Sequence, residues 1–396
     1  MPETPLPSKS LPRESAPAHK SRFIYLACPW SPMGGGMFRV ADYLIQAQAT
    51  DTPAHAAQLR PLDTRGPGHA ALSLWYLLVA VARIAQGRLQ GELAGVHVNM
   101  AERLSVWRKG VIIAACRALG VPVLLHLHAA QMQAFYAGLP APLKALTRWI
   151  FRIADGVVVL GEAARRFVTE ELGVSPERVD IVINGVPEPA EPRRVRKAGT
   201  PQRLLFLGNL SERKGVPDLL RALAMPGFET LPLEVSFAGG GDVALYQATA
   251  HALGIDHLVR FEGWCDQARV AALMSQADLM VLPSHDEGLP LAILEALGNG
   301  VAVVCTPVGE IGGVLSDGVD ALFVRPGDSA DIAERLLEVL RSPALRERLE
   351  RNGRARYEAQ FSLPRFFGSI ARIHQRCFGI AGQPPPPRAT PGPQRP

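Results

Sequence analysis

The sequence predicts an α/β protein built as two doubly wound domains facing across a cleft. Three observations carry that reading. Short apolar runs alternate with helix-length segments along most of the chain, the rhythm of parallel sheets flanked by helices. The rhythm starts twice, near residue 22 and again near residue 203. Between the two starts, a charged stretch containing Pro187, Pro189, Pro192 and Pro201 suits neither helix nor strand. At 396 residues and 47% hydrophobic content, the chain is long enough for two substantial cores.

Residues 1–20 are rich in Pro and Ser, lack an apolar signal core, and read as disordered. The first domain is expected over 21–186, opening with a strand at 22–28. Gly34, Gly35 and Gly36 then precede Met37, so that backbone amides at a helix start could approach a diphosphate without side-chain obstruction. Their spacing matches neither a dinucleotide fingerprint nor a Walker A loop, and a flexible turn is the competing reading. The apolar segment 70–85 is broken by Arg83 and reads as a packed helix rather than a membrane span. Further strands are expected at 95–98, 121–128 and 156–160. In the second of these, His126 and His128 alternate and could share one face at its carboxyl end, as substrate contacts or as hydrogen-bonded structural residues. The segment 141–154 spaces Lys144, Arg148 and Arg152 four residues apart beside Leu143, Leu146, Trp149, Ile150 and Ile153. That pattern suits an anionic membrane surface or, equally, an ordinary packed helix with solvated cations.

Residues 187–202 form the connection, and the second domain is expected over 203–362, with strands at 203–208, 233–238, 258–261, 279–282 and 301–305. After its first strand, Phe206-Leu-Gly-Asn-Leu-Ser-Glu-Arg-Lys-Gly215 offers a glycine and two adjacent cations. Arg213 provides a rigid donor fork and Lys214 a compact mobile charge for phosphate oxygens, although either is also at home as a solvated helix-cap residue. After the apolar run 279–282 comes Ser-His-Asp-Glu-Gly-Leu-Pro-Leu-Ala-Ile-Leu-Glu-Ala, which places Glu287 at the mouth of an expected helix and Glu295 eight positions along it. Glu287 then stands at the carboxyl end of a parallel sheet, where open α/β folds bind ligands. At a rise of 1.5 Å per residue the two acids lie about 12 Å apart, too far for the adjacent carboxylate pair of a retaining hydrolase. A helix is expected over 363–381, followed by a disordered Pro-rich tail at 382–396.

A net charge of +5 suits a phosphate-bearing ligand or an anionic membrane surface, while the absence of a dense Lys/Arg tract or zinc-finger spacing argues against nucleic acid. The five cysteines are scattered without metal or redox spacing, which fits a reducing, cytoplasmic compartment.

Together these motifs resemble glycosyltransferase family 4, from about Gly34 to Gly327. The resemblance implies the GT-B architecture, a nucleotide-sugar donor held mainly by the second domain, and a glycan or polyprenyl-linked saccharide acceptor entering from the first. It carries over Gly34, Gly35 and Gly36 as the phosphate loop, His128 as a donor-side catalytic residue, and Lys214 in Glu-Arg-Lys-Gly. Glu287 and Glu295 become the E-x7-E pair, with Gly288, Leu289, Pro290 and Leu291 as donor-binding positions between them. Asn184-Gly185-Val186 resembles the family's turn before the domain connection. Retention of anomeric configuration, no catalytic metal and no cofactor beyond the donor are also implied, and no Asp-x-Asp motif stands out. The chain departs from the pattern at Asn209, where Arg is frequent, so phosphate stabilisation leans on Arg213 and Lys214. It departs again at Gly309-Glu310-Ile311-Gly312-Gly313, which replaces Gly-Gly-x-x-Glu and leaves the donor contacts of that turn open.

The expected function is transfer of one hexosyl residue from a UDP- or GDP-sugar during surface polysaccharide assembly, with possible contact to the inner face of the membrane. Glu287 is expected to orient sugar hydroxyls, Lys214 and the amides of Gly35 and Gly36 to bind phosphate, and Glu295 to contact the ribose. A non-catalytic nucleotide-sugar sensor or scaffold is the competing class, separated from the enzyme by product-forming turnover.

Overall fold

The computed structural model describes residues 22–30, 35–50, 57–66, 70–190, 193–194 and 200–380. The expectations for residues 1–20, Gly34, part of the connection and the tail from 382 lie outside them.

The first sheet contains β1 (Phe23–Cys28), β2 (Gln58–Asp63), β3 (Leu93–Met100), β4 (Val123–Leu127), β5 (Gly156–Val159) and β6 (Val179–Ile181). All pair in parallel in the order β2-β1-β3-β4-β5-β6. Its helices are α1 (Gly36–Thr50), α2 (Ala70–Leu89), α3 (Leu104–Ala118), α4 (Met132–Ala137), α5 (Ala141–Ile153) and α6 (Glu162–Arg166). The second sheet contains β7 (Gln202–Leu207), β8 (Leu233–Ala238), β9 (Val259–Gly263), β10 (Leu279–Leu282), β11 (Ala302–Cys305) and β12 (Leu322–Phe323), parallel in the order β12-β11-β10-β7-β8-β9. With it go α7 (Val216–Leu223), α8 (Val243–Ala252), α9 (Gln267–Gln276), α10 (Leu291–Gly298), α11 (Ile311–Val314), α12 (Ser329–Arg341) and α13 (Pro343–Arg356).

Every residue of β3, β4, β10 and β11 is buried, because helices cover both faces of each sheet. The sequence reading missed β2, β6 and β12, all edge strands. Edge strands are short and half solvated, so they carry no continuous apolar run, and β2 even contains Pro61.

The last helix, α14 (Leu363–Phe378), follows the second domain in sequence but packs on α1 and β4 of the first. Its buried face includes Phe366, Phe367, Ile370, Ile373, His374 and Phe378. The two chain crossings between domains pair with each other: the Val186 amide donates to the Phe361 carbonyl at 2.9 Å and the Leu363 amide to the Val186 carbonyl at 2.9 Å. Gly185 stands beside that pairing because a Cβ there would lie 2.5 Å from the Phe366 Cβ.

Each sheet reverses its direction of winding at one point, β1/β3 in the first and β7/β10 in the second. The loops leaving these strands open toward each other, and the crevice at such a switch point is where doubly wound sheets bind ligands.

Candidate active site

A cleft of about 1260 Å³ lies between the switch points. From the first domain it is lined by Gly35, Gly36, Arg39, Tyr43 and His128, and from the second by Gly208, Asn209, Arg213, Lys214, the run Glu287 to Leu291, and Glu295. Every site residue expected from sequence thus lines one cleft, except Gly34, which is outside the described residues. Gly35 and Gly36 have nothing within 4 Å of where a Cβ would stand, so open space lies against this backbone at the start of α1.

Glu287 follows β10 but is not on a helix. The loop is irregular, with bends at 285–286 and 288, and α10 begins only at Leu291 after Pro290 in an extended conformation. This corrects the expectation of two acids on one helix; the 1.5 Å rise applies only beyond Leu291. The loop shape is enforced from the neighbouring turn. Gly309 adopts φ 60°, and a Cβ there would fall 1.9 Å from the Glu287 carbonyl oxygen. Only glycine permits that approach.

Glu287 is buried, and its Oε1 accepts from Ser284 Oγ at 2.7 Å and from Lys214 Nζ. The Lys214 ammonium arrives on a one-turn 3-10 segment, Glu212–Lys214, closed by Gly215 in the left-handed region at φ 69°. Arg213 sits 4.0 Å from Glu287 Oε2 and donates to the Asp286 carbonyl at 2.7 Å, while the His285 amide donates to the Arg213 carbonyl at 2.8 Å. The two post-strand loops are therefore laced together. The result is a fixed carboxylate beside two cations, facing open space.

Across the cleft, His128 stands one residue beyond the end of β4. Its Nε2 lies 2.8 Å from Asn99 Oδ1 on β3, and its ring packs against His126 at 3.9 Å between centroids, tilted by 38°. His126 Nδ1 meets His97 Nε2 at 3.2 Å, and His97 Nδ1 meets His374 Nε2 of α14 at 2.9 Å. Burial pushes the His128 and His374 imidazoles down to about 3. His97 and His126 are also held well below the ordinary value, first by burial and then by neighbouring histidines. All four rings are neutral. A neutral ring facing an amide oxygen carries its proton on Nε2, which leaves His128 Nδ1 as an acceptor.

Sequence reasoning missed several partners. Glu295 Oε1 accepts from Tyr43 at 2.8 Å and from Arg39 Nη1 at 3.2 Å, both on α1 of the opposite domain, while Glu295 Oε2 is buried without a hydrogen bond. Burial and Glu295 together raise the Tyr43 hydroxyl above its usual range, so it remains a donor. Glu310, the departure noted above, reaches the first domain and accepts from the Ala164 amide of α6 at 2.9 Å. Trp264, half exposed after β9, also lines the cleft. No group of three or more His, Cys, Asp or Glu side chains among the described residues is placed to hold a metal ion.

Two family models match in tandem. Glycosyltransferase Family 4 covers residues 35–188, and Glycosyl transferases group 1 covers residues 188–356. The phosphatidyl-myo-inositol mannosyltransferase of Mycobacterium leprae is 31% identical over 276 residues, 67% of this chain and 69% of that protein. The chain belongs to the family 4 and group 1 glycosyltransferases. Sucrose-phosphate synthase from Thermosynechococcus elongatus superposes on this glycosyltransferase with a TM-score of 0.74 at 19% identity, covering 91% of this chain and all of that one. Anabaena Alr3699/HepE in complex with UDP-glucose gives a TM-score of 0.67 at 17% identity, covering 89% and 99% respectively. The fold is GT-B, two Rossmann-like domains across a cleft, and the glycosyltransferase is an enzyme of that class.

Proposed function

We propose that this glycosyltransferase moves a hexosyl residue from UDP- or GDP-hexose to a glycan or lipid-linked saccharide in surface polysaccharide assembly, with retention at the anomeric carbon. One observation carries the reading: Glu287, Lys214 and Arg213 converge at the β7/β10 switch point and face His128, Gly35 and Gly36 of the other domain. HepE in complex with UDP-glucose supports a nucleotide-hexose donor of this kind.

In the transfer, the bond from the sugar anomeric carbon to the diphosphate oxygen breaks as positive character grows on that carbon. Negative charge gathers on the departing diphosphate, where Lys214, Arg213 and the amides of Gly35 and Gly36 stabilise it. Glu287 orients sugar hydroxyls, and His128 Nδ1 accepts from another. The acceptor hydroxyl bonds to the anomeric carbon on the face the diphosphate leaves, and its proton passes to the departing phosphate oxygen. The unpartnered Glu295 Oε2 supports a contact to the ribose hydroxyls.

The test is a panel of nucleotide sugars scored by thermal stabilisation, followed by product mass with glycan and lipid-linked acceptors. Transfer with one UDP- or GDP-hexose is expected, and NMR of the product reports the anomeric configuration. Binding without transfer or donor hydrolysis across the whole panel would overturn the enzyme in favour of a sensor. An inverted product would overturn retention alone.

A further inference from the structure

We infer that the acceptor carries an anionic oxygen group, a phosphate or a carboxylate, and that Arg65 and Arg103 bind it at the first-domain wall of the cleft. The inference rests on the proposed transfer for calling this ligand an acceptor. The anion site stands on its own observations.

Both arginines line the cleft. Arg65 leaves β2 and Arg103 leaves β3, the two neighbours of β1, so they flank the loop that leads to Gly35 and Gly36. The turn that carries Arg65 is firmly held. Asp63 Oδ1 accepts from the amides of Trp30, Arg65 and Gly66 at 3.3, 2.9 and 3.0 Å. Buried Lys109 donates to the Ala27 carbonyl at 2.9 Å and to Thr64, which ties the ends of β1 and β2 together. Gly66 then turns at φ 68°, where a Cβ would fall 2.1 Å from the Tyr76 ring.

Arg103 supplies a second, independent observation. At φ 60° it is the only non-glycine residue with a positive φ among the described residues. Glycine takes such a backbone without strain, whereas an arginine held there marks a position where the side chain has a task. Capping is not that task, since the Arg103 side chain makes no cap bond to α3. It is exposed to the cleft instead.

Charge gives the ligand class. Among the described residues, Arg65, Arg103 and Arg108 of α3 form no ion pair. Arg108 lies close to Arg65: burial first, and then that neighbour, lowers its guanidinium from the ordinary value, and its Nε is buried without an acceptor. Guanidiniums gathered with no carboxylate paired to them suit a phosphate or carboxylate, whose oxygens match the donor fork. Glu102, beside Arg103, lines the same wall with its Oε2 buried and without a hydrogen bond, which a sugar hydroxyl would satisfy. In the proposed transfer the donor diphosphate already meets Lys214, Arg213 and the amides of Gly35 and Gly36. These further guanidiniums therefore point to a second anion.

The test is calorimetric titration of the full chain, held in saturating UDP and, separately, in saturating GDP. Glucose, galactose and mannose are each compared with their 1-phosphates and their uronates. One anionic series is expected to bind at least tenfold tighter than its neutral sugars, and less so at high salt. Tighter 1-phosphates identify a phosphate on the acceptor, and tighter uronates a carboxylate. Arg65→Ala and Arg103→Gly are each expected to weaken that binding at least tenfold. Arg103→Gly should do so with a urea midpoint at or above wild type, because glycine accepts this backbone. Should Arg103→Gly melt lower, Arg65→Ala on its exposed turn decides. Anionic sugars that bind no tighter than neutral ones, or variants that bind them like wild type, overturn the proposal. So does a matching loss of nucleotide affinity in both variants, which assigns the guanidiniums to the donor diphosphate. The titrations are read whether or not transfer occurs, so failure of the anion site and failure of the proposed transfer are scored separately.

Discussion

Glu287 is fixed by Ser284 and Lys214, so in the proposed transfer the carboxylate would meet a sugar hydroxyl without reorganisation. Lys214→Ala is expected to lower kcat by about a hundredfold to a thousandfold, the usual cost of losing a preorganised donor to a developing anion. Glu287→Gln keeps the volume but removes the charge opposite Lys214, and a comparable loss is expected in steady-state kinetics. Wild-type kinetics in both variants would remove these residues from the mechanism. Asn99 Oδ1 faces His128 Nε2 at 2.8 Å, an arrangement that favours the Nε2–H tautomer of a neutral ring. In Asn99→Leu that restraint is gone, and kcat/KM should fall by about tenfold, the order of one hydrogen bond. The ¹⁵N shifts of the His128 ring should move toward the Nδ1–H tautomer, a change that a merely structural role for Asn99 would not produce. Glu287, Lys214 and His128 were legible in the sequence because each directly follows a strand or its turn, within one local motif. Tyr43 and Asn99 were not, because their partners lie 252 and 29 residues away.

At the level of elements, the turn before α11 holds the loop before α10 in place. Gly309→Ala puts a methyl where the Glu287 carbonyl now stands, and the left-handed backbone gives a side chain no relief. The variant should lose about 1–3 kcal/mol of stability in urea titrations and most of its activity. Unchanged kcat would show that the position of the Glu287 loop does not matter to transfer. The long buried strands were readable as apolar runs, as were α5 and α14 from their helical spacing. Edge strands and the irregular approach to α10 were not. Their conformation is set by the neighbouring β1, β5 and β11 and by the Gly309 turn, rather than by a periodic pattern of their own.

For the whole molecule, the buried histidine string joins α14 to the cleft and makes the fold acid-sensitive. His97, His126 and His374 are neutral in the folded protein, with His374 pushed from its ordinary 6.5 down to about 3. Below pH 6.5 the unfolded chain binds protons that the folded chain refuses. Their contribution to stability is therefore full above that pH and is lost as the pH falls toward about 3. Each ring can add a slope of up to about 1.4 kcal/mol per pH unit. Urea titrations between pH 7.5 and about 4.5 should show stability falling steeply. His374→Gln should make that fall shallower by roughly one proton's worth. A wild-type profile flat across this range would contradict neutral burial.

The sequence by itself determined the two runs of strand and helix, the break between them, and the residues that leave the strand ends toward the cleft. Those features are local: burial of each strand and the turn after it are written in consecutive residues. Only the tertiary structure decided which domain α14 joins, what holds Glu295, and that Glu310 reaches Ala164 across the cleft. The neighbours of Glu295 and Glu310 in those contacts are 146 to 256 residues away in sequence and α14 lies farther still from α1, so their meeting depends on how two sheets and their crossings pack. Packing direction has no period along the chain, so no sequence pattern announces it.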